Sequence, residues 1–134
     1  MKTAVDSSVL LDVLGADPTF GDQSRHALRS AYDTGALVAC DVVWSEVRAH
    51  FDRDDDFEEA LSVLGVRFEA LTAEAALTAG KLWRASRRRM SDRERVIADF
   101  LVGAHAAVQA DALLTRDRGF YRRFFKINII APGA

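Results

Sequence analysis

Three short runs, TAV at 3–5, ALVAC at 36–40 and ALLT at 112–115, are apolar or nearly so, with none of the in–out alternation of a strand that has one wet face. Residues that follow one another without alternation are buried on both sides, which is the condition of a strand inside a parallel sheet covered by helices. INIIA at 127–131 predicts a last strand, and GVRFEAL at 65–71 holds a further short one. Between these runs the apolar residues fall at helical spacing, as at Val9, Leu10, Val13 and Leu14. Strands alternating with helices predict an α/β fold, a mainly parallel sheet with helices on both faces.

The breaks are chemically explicit. GADPTFG at 15–21 is turn chemistry, and Gly35 stands where a helix over about 22–34 should stop. Asp41 reads as the N-cap of a helix spelled VVWSEVRAHF, which carries Glu46. The acids of RDDD at 53–56 suit the positive end of a helix over about 55–64. Thr72 predicts the cap of a long helix reaching about Arg89, MSDRER breaks it, and a further helix covers about 96–109. GFYRRFF at 119–125 reads as one or two helical turns. With 134 residues, no linker and no repeat, a single domain over 1–134 is expected.

Composition removes several classes of function. Cys40 is the only cysteine, so neither an internal disulfide nor a thiolate zinc cluster is available, and within ALVAC it reads as a small buried hydrophobe. His26, His50 and His105 stand singly, without metal-ligand spacing. No apolar run approaches the length of a membrane span, and MKTAVDSS lacks the apolar stretch of a secretion signal, so a cytoplasmic protein is expected. The net charge of −2 hides an uneven distribution. Residues 1–74 carry 15 acids against 6 basic side chains, while residues 75–134 carry 5 against 12. The basic half is suited to a polyanion.

Acids stand where the strands end. Asp6 follows TAV, and Asp117 lies two residues past ALLT. In open parallel sheets, side chains leaving the carboxyl ends of neighbouring strands converge on one rim, where ligands bind. Asp99 near a helix start and Glu46 one turn into another helix are placed to join them. Ionised carboxylates about 5 Å apart repel by roughly 3 kcal/mol per pair at an effective dielectric near 20. A divalent cation relieves that repulsion, and oxygen-only ligation favours Mg²⁺ or Mn²⁺ over zinc.

VDSSVLLDVL, VVWSEVRAHF, ADFLVGAHA and LLTRDRGFY, in that order, resemble the four acidic motifs of the PIN-domain family, and among its members the VapC toxins of VapBC toxin–antitoxin modules. Asp99 and Asp117 stand 18 residues apart, and the resemblance runs from Lys2 to Pro132. It implies a three-layer α/β/α sandwich and a metal-dependent endoribonuclease site in which Asp6, Glu46, Asp99 and Asp117 form the acidic quartet. Asp6 with one or both of Asp99 and Asp117 would hold Mg²⁺ (or Mn²⁺), and Glu46 would hold a water. Ser7, Ser8 and Thr115 match positions whose hydroxyls support the site. A water activated by the ion would attack phosphorus in line, leaving a 5′-phosphate and a 3′-hydroxyl. The implied substrate is RNA of the translation apparatus, tRNA or rRNA. The implied partners are a VapB-like antitoxin, seated on a groove near the N-terminal helices, and a second copy of the toxin.

Arg84, Arg87, Arg88, Arg89, Arg93 and Arg95 precede the Asp99 motif, and Arg116, Arg118, Arg122 and Arg123 surround Asp117. Arginine forks suit phosphate, and Arg87, Arg88, Arg89, Arg116 and Arg118 are the candidate RNA contacts; cations at a helix end serve the dipole equally well. Phe120, Tyr121, Phe124 and Phe125 are spaced as packing residues, as are Trp44 and Trp83. Two other functions fit parts of the pattern. An aspartate-dependent phosphatase would use Asp6 as nucleophile, but position 8 is serine and no suitably placed lysine follows a later strand. A non-catalytic PIN-like binding protein would have no need of intact acids.

Overall fold

A computed structural model describes residues 1–86 and 97–133. Five strands, β1 (Thr3–Val5), β2 (Leu37–Ala39), β3 (Val66–Phe68), β4 (Ala112–Leu114) and β5 (Asn128–Ile130), form one sheet in the order β3-β2-β1-β4-β5. Every pairing is parallel, with Val5 opposite Leu114 and Ala39 opposite Phe68. The α/β parallel-sheet expectation holds. The three central strands are wholly buried, whereas edge strands β3 and β5 carry exposed or half-exposed residues. That is the reason TAV, LVA and ALL are apolar or nearly so, while VRF and NII place Arg67 and Asn128 at exposed positions.

The helices are α1 (Ser7–Leu14), α2 (Gly21–Thr34), α3 (Asp41–Arg48), α4 (Asp54–Leu64), α5 (Ala73–Ser86), α6 (Ile97–Gln109) and α7 (Arg118–Phe124). Their ends follow local chemistry. Three acids open α4 and Gly65, at φ 75°, closes it in the left-handed conformation that glycine adopts without strain. Thr72 Oγ1 accepts from the Ala75 N–H at 3.2 Å and so caps α5, as its position predicts. Gly35 ends α2 at φ 155°, and a Cβ there would lie 1.7 Å from the Met1 carbonyl oxygen, so the start of the chain needs glycine beside it. The predicted extension of α5 to Arg89 and the MSDRER break lie outside the described residues.

Two expectations need correction. Asp41 is the first residue of α3 and not its cap. Cys40 occupies the cap position without a side-chain bond, while Asp41 Oδ1 accepts from the Leu71 N–H at 2.7 Å, tying the α3 start to the chain beyond β3. Helix α3 also stops at Arg48, short of Phe51, whose ring leaves the helix to pack edge-on against Phe57.

The aromatics are packing residues. Phe100 on α6 meets Phe120 and Phe124 edge-on at 5.1 and 5.3 Å between centroids, and Gly103 leaves the space that the Phe125 ring fills. Trp44 meets Phe57 and Phe68 edge-on. Buried His105 on α6 bonds Glu69 at 3.0 Å, and Lys2 and Gln109 also hold that carboxylate. Among the described residues no helix is long and apolar enough to cross a membrane.

Candidate active site

Strand order alone marks one crevice. From β1 the chain winds outward through β2 to β3, then returns to build β4 and β5 on the other side of β1. The switch falls between β1 and β4, and at such a point the connections diverge and leave an opening above the carboxyl ends. The register pairs Val5 with Leu114, so the next residues along, Asp6 and Thr115, emerge side by side. The Asp6 N–H donates to the Leu114 carbonyl at 2.9 Å and the Thr115 N–H to Ile130 at 3.1 Å, so both backbones are still held by the sheet.

Asp6 is the N-cap of α1 and only 8% exposed. Its Oδ1 accepts from the Ser7 N–H at 2.8 Å, and its Oδ2 accepts from Thr115 Oγ1 at 2.7 Å. The Ser7 and Ser8 hydroxyls stand farther off, each at 3.5 Å. The Thr115 hydroxyl in turn accepts from the Asp117 N–H at 3.0 Å, so one side chain links the first acid to the backbone of the fourth. Burial pushes the Asp6 carboxyl above its ordinary value. The bonds from Thr115 and Ser7 oppose that shift, and the negative charges of Glu46 and Asp99 add to it.

Two of the other acids are therefore near enough to act on Asp6 by charge. Glu46 is exposed on α3, and Asp99 is half-buried in the first turn of α6, where the helix dipole favours a negative charge. Asp117 is half-buried at the start of α7. Among the described residues, no three ligating side chains close into a cage. The donor set nevertheless suits Mg²⁺ or Mn²⁺, which retain several waters and need only one or two carboxylates from the protein. Of the three acids expected to hold the ion, Asp99 acts on Asp6 by its charge and the Asp117 backbone is tied to it through Thr115.

Arg116 pairs with a carboxylate that the sequence did not single out. Its Nε donates to Asp12 Oδ2 at 2.6 Å and its Nη2 to Oδ1 at 3.1 Å, and its guanidinium lies 4.2 Å from the centre of the Phe20 ring. A carboxylate already neutralises it. Asp12, buried on α1, is the residue that sequence reasoning missed; a lone acid inside the apolar run VLLDVL was the available signal. Arg118 is exposed and, with Gln23, Phe20 and Arg116, lines a pocket of about 330 Å³ beside the β5 end. Arg87, Arg88 and Arg89 lie outside the described residues.

Solved structures of similar fold include VapBC2 from Rickettsia felis bound to a fragment of its promoter DNA (TM-score 0.77, 13% identity, covering 98% of this chain and 99% of that one). VapBC-1 from nontypeable Haemophilus influenzae matches with TM-score 0.73 and 14% identity over 98% of both chains. VapC20 of Mycobacterium tuberculosis, a toxin that cleaves the sarcin–ricin loop, matches with TM-score 0.61 and 16% identity over 92% of this chain and 96% of that one. At such identities the likeness is one of fold. No curated protein matches by sequence. The model of the PIN domain matches residues 3–125, from β1 through all four acids to the end of the aromatic cluster, and the chain belongs to the PIN-domain family.

Proposed function

We propose that this protein is a VapC-type toxin, an Mg²⁺-dependent endoribonuclease that cleaves an RNA of the translation apparatus. The observation that carries the reading is Asp6, buried at the sheet's switch point, held by Thr115 and standing in the field of Glu46 and Asp99. Such an acid is costly to keep ionised in a fold that has no use for it. The likeness to VapC20 and to the VapBC complexes supports the choice of RNA and of a toxin role.

When bound, the ion would supply charge neutralisation at the phosphate and a water acidic enough to act as nucleophile. The protein supplies the rest. Asp6, fixed by Thr115 and the Ser7 N–H, presents a carboxylate in a set orientation, and Asp99 and Asp117 complete the anionic face. Glu46 orients the attacking water and takes its proton. Attack in line on phosphorus breaks the P–O3′ bond and leaves a 5′-phosphate and a 3′-hydroxyl, the departing 3′-oxygen taking a proton from solvent, with the 2′-hydroxyl serving recognition only.

Its partner in this reading is a VapB-like antitoxin. A groove of about 380 Å³ between α2 and α4, lined by Val13, Leu28, Tyr32, Val63 and Leu64, supports this. Tyr32 and Val63 remain 57% and 79% exposed, an apolar surface suited to a covering segment. A symmetric pair of toxin chains and a cytoplasmic location complete the proposal.

The test is to express the protein and map new 5′ ends across cellular RNA, with Asp6→Asn as control. Discrete 5′-phosphate ends that vanish in the control are expected. Cleavage undiminished by Asp6→Asn would overturn the assignment, and no cleavage, with calorimetry showing no divalent-ion binding, would leave a binding protein.

A further inference from the structure

The acid that sequence reasoning missed sits on the same helix as the first acid of the site. Asp6 caps α1 and Asp12 lies in its last turn, six residues on, which is about 9 Å along the axis. Their partners are consecutive: Thr115 donates to Asp6 and Arg116 to Asp12. Helix α1 and the loop between β4 and α7 are therefore joined at two points. A single hydrogen bond leaves a loop free to pivot, and two bonds from adjacent residues fix its direction.

The second joint is built in depth. Asp12 is only 4% exposed and accepts three hydrogen bonds, two from the Arg116 fork and one from Ser24 Oγ at 2.7 Å. Phe20, on the other side of the guanidinium, is itself placed by the turn before α2. There Asp17 Oδ1 accepts from the Thr19 and Phe20 N–H groups at 2.9 and 2.7 Å. A buried carboxylate with this many donors is costly to form and holds its partner in one geometry. Asp117 follows Arg116 directly as the N-cap of α7, at φ −94° and ψ 53°, outside both helical and extended conformations.

We propose that Asp12 and Arg116 are positioning residues, a clamp that sets the Thr115–Asp117 loop and so delivers Thr115 and Asp117 to Asp6. The inference rests on the nuclease reading for its catalytic consequence, and on geometry alone for its effect on ion binding. It also assigns Arg116 to the scaffold and leaves phosphate contact on this flank to Arg118.

The experiment compares Asp12→Asn, Arg116→Lys and Ser24→Ala with the unaltered protein. Mn²⁺ affinity is measured by calorimetry, and single-turnover rate and KM are measured on a synthetic RNA spanning a mapped cleavage site. Loss of a group that orients metal ligands typically costs 10- to 100-fold, so Asp12→Asn should weaken Mn²⁺ binding about tenfold and slow cleavage at least as much, with KM nearly unchanged. Arg116→Lys, which keeps one of two bonds, should fall between. Wild-type affinity and rate in both would overturn the clamp, as would a raised KM at unchanged rate in Arg116→Lys, the mark of an RNA contact. If Asp12→Asn does not fold, Ser24→Ala decides: a smaller loss in the same two quantities is expected, and none would overturn the proposal. Should the unaltered protein bind Mn²⁺ but cleave no RNA, the nuclease reading fails while the affinity series still judges the clamp.

Discussion

The hydroxyl of Thr115 lies 2.7 Å from Asp6 Oδ2, joining two residues 109 positions apart that the β1–β4 register makes neighbours. The same oxygen accepts from the Asp117 N–H at 3.0 Å. Thr115→Val keeps the shape and removes both bonds. The Asp117 N–H loses the Thr115 oxygen and Asp6 Oδ2 keeps only the Ser8 hydroxyl at 3.5 Å, and a poorly satisfied buried polar group costs about 1–3 kcal/mol. Urea unfolding should show a loss of that size, and cleavage should fall with it.

Asp6→Asn should separate stability from activity. Burial raises the Asp6 carboxyl, so the folded state favours its neutral form. A group raised on folding contributes stability below its unfolded value and loses it as pH rises through the folded one. At pH 7–8 with chelator present the amide removes that penalty, and its melting temperature should exceed that of the unaltered protein. The difference should shrink toward pH 4, and cleavage should be absent throughout. A lower melting temperature at pH 8 would contradict the account of burial.

His105 and Glu69 set the opposite slope. Burial lowers His105 despite its bond to Glu69, so folding favours the neutral imidazole. Burial works to raise Glu69, but bonds from Lys2 and His105 outweigh it and the net shift is downward. Both groups stabilise the fold above their unfolded values, and that contribution is lost as pH falls, first below about 6.5 for the histidine and then through the carboxylate range. His105→Gln should flatten the loss of stability between pH 7 and 5, measured by thermal unfolding.

Two glycines test the packing. A Cβ on Gly103 would lie 2.3 Å from the Phe125 ring, while one on Gly80, inside α5, meets nothing within 4 Å. Gly103→Ala should destabilise by about 1–3 kcal/mol through overpacking. Gly80→Ala should stabilise by about 0.5–1 kcal/mol, because alanine loses less backbone freedom in a helix. Denaturant midpoints on the two variants check both signs.

TAV, LVA and ALL declared a buried parallel sheet without any structure, because a strand covered on both faces has no reason to alternate. Gly35, Thr72 and the acids of α4 likewise marked helix ends, since capping depends on a few adjacent residues. The acidic motifs supplied the candidate acids. Asp41 and Asp12 show where that reading stops: Asp41 was expected to cap α3 and instead ties to Leu71, and Asp12, which no motif singled out, takes the Arg116 fork. The partner of a carboxylate is whichever donor the packed chain brings near, and for Asp12 that donor lies 104 positions away. Local chemistry therefore determined the elements and the candidate acids. Only the order β3-β2-β1-β4-β5 decided that Asp6 stands beside Thr115, because neighbours in a sheet are set by how the whole chain packs and not by adjacent residues.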